Sequence, residues 1–227
     1  RISCPQAGFP CSAGSEVKRF PKPITSGPEY SFLTPNQSVD ATVVNDRWYG
    51  MESGGSGVVT DLTGSTQSFF TVRNDAVGLG SALVNGNIVL GAITEDSFTL
   101  YDENSNEIQA STPLSQVVFG ITGGDIYAPP GADGLEDLFI LPVNSDGIFN
   151  AYDGAGNFLE SYATGMVNTQ DGAYDGDRFY MNTAIPGLGG QVARTEPAVV
   201  VPAPGALPTA MVMGGMGILA RGRRGRE

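Results

Sequence analysis

Histidine is absent from all 227 residues, and no other gap in the chain removes as much chemistry. Without an imidazole there is no Ser-His-Asp or Cys-His nucleophile, because neither has its general base. Zinc, copper and non-haem iron sites built on histidine are excluded with it. What remains is carboxylate chemistry, or calcium and magnesium held by oxygen. Basic residues are also scarce, 12 Lys and Arg against 24 Asp and Glu. The deficit is uneven. Residues 1–200 carry 8 basic and 23 acidic side chains, a net of −15, whereas 201–227 set Arg221, Arg223, Arg224 and Arg226 against Glu227, a net of +3. A body this acidic repels phosphate backbones, so nucleic acid is not a partner. Its charge serves solubility outside the cell.

Cysteine is nearly missing too. Cys4 and Cys11 are the only two, close together in a Pro- and Gly-rich stretch. Two thiols without histidine are too few for a metal site, so the pair is expected to form a small disulfide loop in an oxidising compartment. If the protein is exported, a signal peptide has been removed ahead of Arg1 or the chain is a fragment.

Before residue 198 no segment carries an apolar stripe at helical period over three turns. The chain instead has 32 glycines and 15 prolines, which punctuate it with turns. Residues 1–29 read as an irregular lead-in. From Tyr30 short Val, Ile, Phe and Tyr runs alternate with Gly, Asn and Asp, the signature of strands and turns. Four of these runs open alike, at Asp46, Asn87, Asp137 and Asp177, with spacings of 41, 50 and 40 residues. After the first three comes a second run ending in Asp61, Asp102 or Asp153, then a turn, then a third run. The best-matched copies, Phe98-x-x-Tyr101-Asp102-x-x-x-Asn106 and Phe149-x-x-Tyr152-Asp153-x-x-x-Asn157, are offset by 51 residues.

Strand, turn, strand, turn, strand at this period has the size of a propeller blade. The segment from Asp137 to Thr164 resembles blades of secreted β-propellers of the NHL and related types. That resemblance implies an all-β body over residues 30–197 made of propeller-like repeats of short antiparallel strands. Three full copies and part of a fourth are present, and Tyr30–Leu33 and Val39–Val44 are the stretches expected to complete the fourth. A β-sandwich of similar hairpins is the runner-up. Trp48, which begins a strand, is assigned to the core.

Residues 198–227 change character. The motif Val201-Pro202-Ala203-Pro204-Gly205-Ala206 is followed by an apolar run to Ala220 and then by the arginine cluster. Counted from Ala198, the uncharged stretch of 23 residues is long enough for a membrane-spanning helix. The arginines then stay cytoplasmic and the body lies outside. This order resembles the PEP-CTERM sorting signal, although Ala203 stands where the namesake motif has glutamate. The resemblance implies export, an apolar C-terminal helix, transient membrane anchoring and processing by an exosortase-type protease.

Two acidic clusters are candidate calcium sites. Asp133, Gly134 and Asp137 resemble part of the calcium loop of FG-GAP propeller repeats, but Pro129 and Gly131 occupy two of the expected ligand positions. Asp171, Asp175 and Asp177 place three carboxylates within seven residues. Six to eight oxygens are needed for calcium, and turn formation is the alternative role for both clusters. The glycine-rich stretch 50–57 lacks the lysine of a phosphate loop. The expected function is therefore a non-catalytic binding or structural protein of the cell envelope or extracellular matrix, meeting polysaccharide or envelope proteins. The rival is a carboxylate-dependent carbohydrate-active enzyme on the same scaffold. It requires two carboxyls converging in one pocket, and no Asp or Glu stands in an apolar sequence context that marks it for a raised pKa.

Overall fold

The structure is a computed structural model that describes residues 16–19, 30–33, 38–176, 179–185, 189–194 and 199–201. It is all-β, with one 3-10 turn over Leu135–Asp137. After the paired strands β1 (Glu16–Arg19) and β2 (Tyr30–Leu33), the chain forms meanders in strict sequence order. The first sheet is β3 (Asp40–Val44), β4 (Arg47–Met51), β5 (Ser56–Asp61) and β6 (Thr66–Thr71). The second is β7 (Gly78–Val84), β8 (Asn87–Ile93), β9 (Ser97–Asp102) and β10 (Glu107–Pro113). The third is β11 (Ile121–Tyr127), β12 (Phe139–Asn144), β13 (Ile148–Tyr152) and β14 (Phe158–Ala163). The fourth holds β15 (Thr169–Tyr174), β16 (Phe179–Ile185) and β17 (Gly189–Arg194).

The four runs with similar openings are thus β4, β8, β12 and β16, the second strand of each successive sheet. What the three-run repeat leaves out is the first strand of each sheet. Val39–Val44, expected to complete the last blade, largely forms β3, the first strand of the first sheet. The lead-in also contains β1, whose partner is Tyr30–Leu33.

Burial separates stacked blades from a sandwich. A two-sheet sandwich has one core, and its strands alternate between buried and wet positions. Here β8 is buried at six consecutive positions and β9 at five, so both faces of the second sheet are covered. Three apolar cores fill the gaps between the four sheets. Tyr49, Met51, Phe70 and Leu90 lie between the first and second, and Phe98, Leu100, Ile126 and Ile140 between the second and third. Val143, Phe149, Phe179 and Met181 lie between the third and fourth. Each sheet therefore buries its faces only by stacking on its neighbours, as propeller blades do. Between the fourth and first sheets the described residues form no such core. Trp48 packs with Val58 on the other face of the first sheet, as expected of a core residue.

Turn chemistry sets the registers. Asn45-Asp46 and Asn85-Gly86 each adopt positive φ at both positions, giving tight two-residue hairpins that pair Val44 with Arg47 and Val84 with Asn87. At the last turn of the first three sheets, between their third and fourth strands, an aspartate replaces the missing ladder. Asp102 Oδ1 accepts the amides of Asn104 and Asn106, both at 2.8 Å, while Oδ2 accepts Asn106 Nδ2 at 2.7 Å. Asp153 repeats this with Ala155 and Asn157 at 3.0 and 2.8 Å and with Asn157 Nδ2 at 2.9 Å. Asp61 binds the amides of Thr63 and Ser65, with Gln67 in place of the asparagine. The repeated Asp-x-x-x-Asn is therefore a turn lock. Asp102→Ala and Asp153→Ala are each expected to cost about 1 kcal/mol. Thermal melting should show similar losses for the two, and a silent variant at either position would break their equivalence.

Candidate functional site

The first strands of the four sheets read DATVV, GLGSALV, ITGGDIY and TQDGAY. They face one another at the centre of the stack, and they can approach because glycine stands where they cross. A Cβ on Gly80 would meet the backbone of Asp125 and Ile126, and one on Gly123 would meet the carboxyl of Asp171. Toward the C-terminal ends of these strands the approach relaxes into a cavity of about 700 Å3. All four strands line it. Its polar wall includes Thr42, Ser81, Asp125 and Asp175, and its aromatic wall is Tyr127, Tyr174 and Tyr180. The Thr42 and Ser81 hydroxyls are 2.6 Å apart and link the first and second sheets across this wall. Asp175 accepts a hydrogen bond from the Tyr180 hydroxyl at 2.9 Å.

One buried carboxyl, Asp125, lines the cavity floor, and two more lie behind it. Asp125 accepts the Ile126 amide at Oδ1 (2.9 Å) and, from the next sheet, the Tyr174 amide at Oδ2 (3.0 Å). Behind the floor, Asp40 accepts the Ala41 amide at 2.7 Å and the Leu79 amide of the second sheet at 2.6 Å. Asp171 accepts the Gly172 amide at 2.6 Å and is hydrogen-bonded to Asp40, joining the fourth sheet to the first. Each of these carboxyls binds the amide that follows it and reaches across to another sheet.

The environment of these groups favours their neutral forms. Burial pushes Asp125 up to about 7 against the pull of the backbone amides of Tyr174, Ile126 and Ser81. Burial, followed by the adjacent charge of Asp171, holds Asp40 well above the ordinary carboxyl range. Asp171 itself is pushed up to about 6, again chiefly by burial. Two acids buried in contact disfavour double ionisation, which adds to the burial that raises Asp40. The expectation that no acid would be raised in this way is therefore corrected. The apolar surroundings come from neighbouring sheets, not from residues adjacent in sequence.

Among the described residues the predicted calcium groups do not gather three carboxylates at one point. Asp137 Oδ2 accepts the amides of Asp133 and Gly134 at 3.0 and 3.2 Å and is spent on the turn, while the Asp133 carbonyl accepts Asn85 Nδ2. Asp171 points to the axis and Asp175 to Tyr180, and Asp177 lies outside the described residues. Among the described residues no three acidic side chains converge as a metal site. Cys4 and Cys11 lie outside the described residues. In the predicted tail, Val199–Val201 forms a short strand, β18, along the outer edge of β14, with Val201 opposite Ser161. Pro202, Ala203, Pro204, Gly205, Ala206 and the four arginines lie outside the described residues, as does the expected apolar helix. Among the described residues no helix is long and apolar enough to cross a membrane.

Asp40 and Asp125 are the site residues that sequence reasoning misses. Asp125 follows two glycines and looks like a turn residue, and only the adjoining strands reveal it as buried.

No family model matches the chain, and no curated protein matches it in sequence. A solved structure does share the fold. Glutaminyl cyclase of Myxococcus xanthus is similar at 13% identity with a TM-score of 0.54, over 83% of this chain and 84% of that one. BamB from Moraxella catarrhalis is 14% identical with a TM-score of 0.41, over 81% of this chain, which spans about half (53%) of BamB's matched chain. A Bacteroides caccae protein of unknown function is 7% identical with a TM-score of 0.44, over 74% of this chain and 65% of that one. At such identity the likeness concerns the propeller-like fold alone.

Proposed function

We propose that this protein is an exported, non-catalytic binding module whose axial cavity holds a ligand and whose C-terminal tail delivers it to the cell envelope. One observation carries the reading. All four inner strands converge on one cavity, and both oxygens of the carboxyl on its floor are occupied by backbone amides. A glycosidase needs one carboxyl free to protonate a leaving group and a second free to attack or to activate water. At Asp125 both oxygens are already used to tie two sheets together, and Asp40 and Asp171 lie behind the floor, bound to amides and to each other.

The remaining wall suits a polar, hydroxyl-bearing ligand. Three tyrosines offer ring faces for stacking, while Thr42, Ser81 and Asp175 offer hydrogen-bonding oxygens. Such a mixed lining, with a volume inside the usual range of roughly 300–1,000 Å3 for ligand pockets, fits a short stretch of extracellular polysaccharide. The order of motif, apolar run and arginines in residues 201–227 supports the sorting role, with an exosortase-type protease as processing partner.

The test combines the two halves of the proposal. Removing residues 202–227 spares β18, so the body should fold unchanged and appear in the medium instead of at the envelope. The full chain, incubated with bacterial polysaccharide fragments, should bind some of them saturably and return them uncleaved. Tyr180→Ala should weaken that binding. Turnover of any glycan, abolished by replacing Asp125 or Asp171 alone, would instead establish the carbohydrate-active enzyme.

A further inference from the structure

Between the third and fourth sheets lies a second, smaller pocket of about 130 Å3, and its walls are chemically unlike those of the axial cavity. Five of its lining residues are aromatic: Tyr127, Phe139, Tyr162, Tyr174 and Phe179. Strand registers bring them together from across the sequence. Tyr127 lies opposite Phe139 at the end of the β11–β12 ladder, and Tyr174 opposite Phe179 at the end of β15–β16. Tyr162 stands two residues after Glu160 on β14, so both project from the same face. Glu160 lies opposite Ala151, whose single methyl leaves the space open, and completes the lining as its only charged group. Neighbouring rings hold one another. Tyr127 meets Tyr174 edge to face at 5.1 Å, and Tyr162 and Tyr174 lie 5.2 and 4.6 Å from Phe179.

We propose that this pocket is a binding site for a quaternary ammonium group. Ring faces carry negative electrostatic potential, and a lining of five aromatic side chains beside one carboxylate favours positive charge in a partly desolvated space. The alternatives fit less well. A hard metal ion requires several oxygens, and the lining offers one carboxylate. A primary ammonium brings three N–H donors and sheds a tighter hydration shell, so it gains less than a methylated one from a lining made chiefly of aromatic rings. A neutral apolar group would leave Glu160 with no role. A fully methylated ammonium has no donors to satisfy and spreads its charge over its methyl groups, which suits a lining of aromatic side chains and one carboxylate. The volume, well below the roughly 300–1,000 Å3 of a whole-ligand pocket, admits a headgroup only. A formal net charge of −12 raises the concentration of any cation near the surface.

This site is separate from the axial cavity in its occupant, although Tyr127 and Tyr174 form part of both walls. The test uses the full chain and titrates choline against its neutral carbon isostere, 3,3-dimethylbutan-1-ol, at constant ionic strength. Binding is followed by calorimetry and by the NMR signal of the Ala151 methyl. Choline should bind saturably and about tenfold more tightly than the isostere. Glu160→Gln, which keeps the side-chain shape, should narrow that difference. Tyr162→Phe should preserve it, because the ring face remains. Ala151→Leu, which fills the space, should abolish binding without affecting polysaccharide binding in the axial cavity. Parallel titrations with phosphocholine and a trimethyl-lysine peptide identify the natural carrier of the group. Equal affinity for choline and the isostere would overturn the proposal, as would choline binding that survives Ala151→Leu or no saturable binding of any of the three ammonium compounds.

Discussion

Asp125→Asn will flatten the pH dependence of stability between about pH 4 and about pH 7. The sign follows from where the proton resides. In the unfolded chain Asp125 titrates near 3.8, and in the folded protein its carboxyl is pushed up to about 7. Between those values the native state keeps a proton that the unfolded state has lost. The contribution is therefore fully present below pH 3.8 and disappears as pH rises through about 7. Converted directly, the shift corresponds to at most about 4 kcal/mol. Asp171, also raised, changes stability in the same direction. The turn aspartates oppose this at low pH. Asp102 is held below the ordinary range by its Asn106 bonds, and Asp61 by Thr63 and Ser65, so their contributions are lost as pH falls through the acid range. The native protein should thus be most stable in mildly acidic solution and weaken toward neutrality, as read from denaturant midpoints across that window. The asparagine variant should start lower, since its amide nitrogen cannot accept from Tyr174 or Ile126, and should then hold nearly constant. An unchanged slope would show that Asp125 titrates as an ordinary carboxyl.

The second large effect is steric. Gly80→Ala should cost about 3 kcal/mol or prevent folding, because the added methyl meets the backbone of Asp125 and Ile126 and no flexible side chain can move aside. The second and third sheets would have to separate at the point where the cavity floor is fixed. Gly86→Ala is the control. It sits in the hairpin turn at φ 78° with nothing nearby, so its cost is only the left-handed backbone, about 1 kcal/mol. Equal melting losses for the two variants would show that the inner strands do not pack this closely.

These two positions also show where sequence reasoning reaches its limit. The second and third strands are legible because they are buried between neighbours and read as apolar runs, as β8 and β9 do, and the more exposed fourth strands are marked by the Asp-x-x-x-Asn turn ahead of them. Three of the four first strands are illegible for a physical reason. β7, β11 and β15 crowd the axis and carry glycine, which in a single sequence signals a loop, whereas the glycine-free β3 falls within the expected stretch Val39–Val44. β1, with the sequence EVKR, has no apolar pattern and is a strand only because Tyr30–Leu33 pairs with it. Asp125 is hidden for the same reason, since an aspartate beside glycine is the usual mark of a turn. The aromatic pocket draws its rings from five strands, and only the ladder registers show that Phe139 and Phe179 share a wall.

The position of β18 has a mechanical consequence. The chain leaves the fourth sheet at β17 and returns to the outer edge of the third, where Val199, Val200 and Val201 pair with Ala163, Tyr162 and Ser161. Tension applied at the C-terminus therefore acts first on those three residue pairs, and through them on the middle of the stack. β18 serves as a strain relief, which must peel from β14 before a tug on the tail can load the sheet that closes the axial cavity.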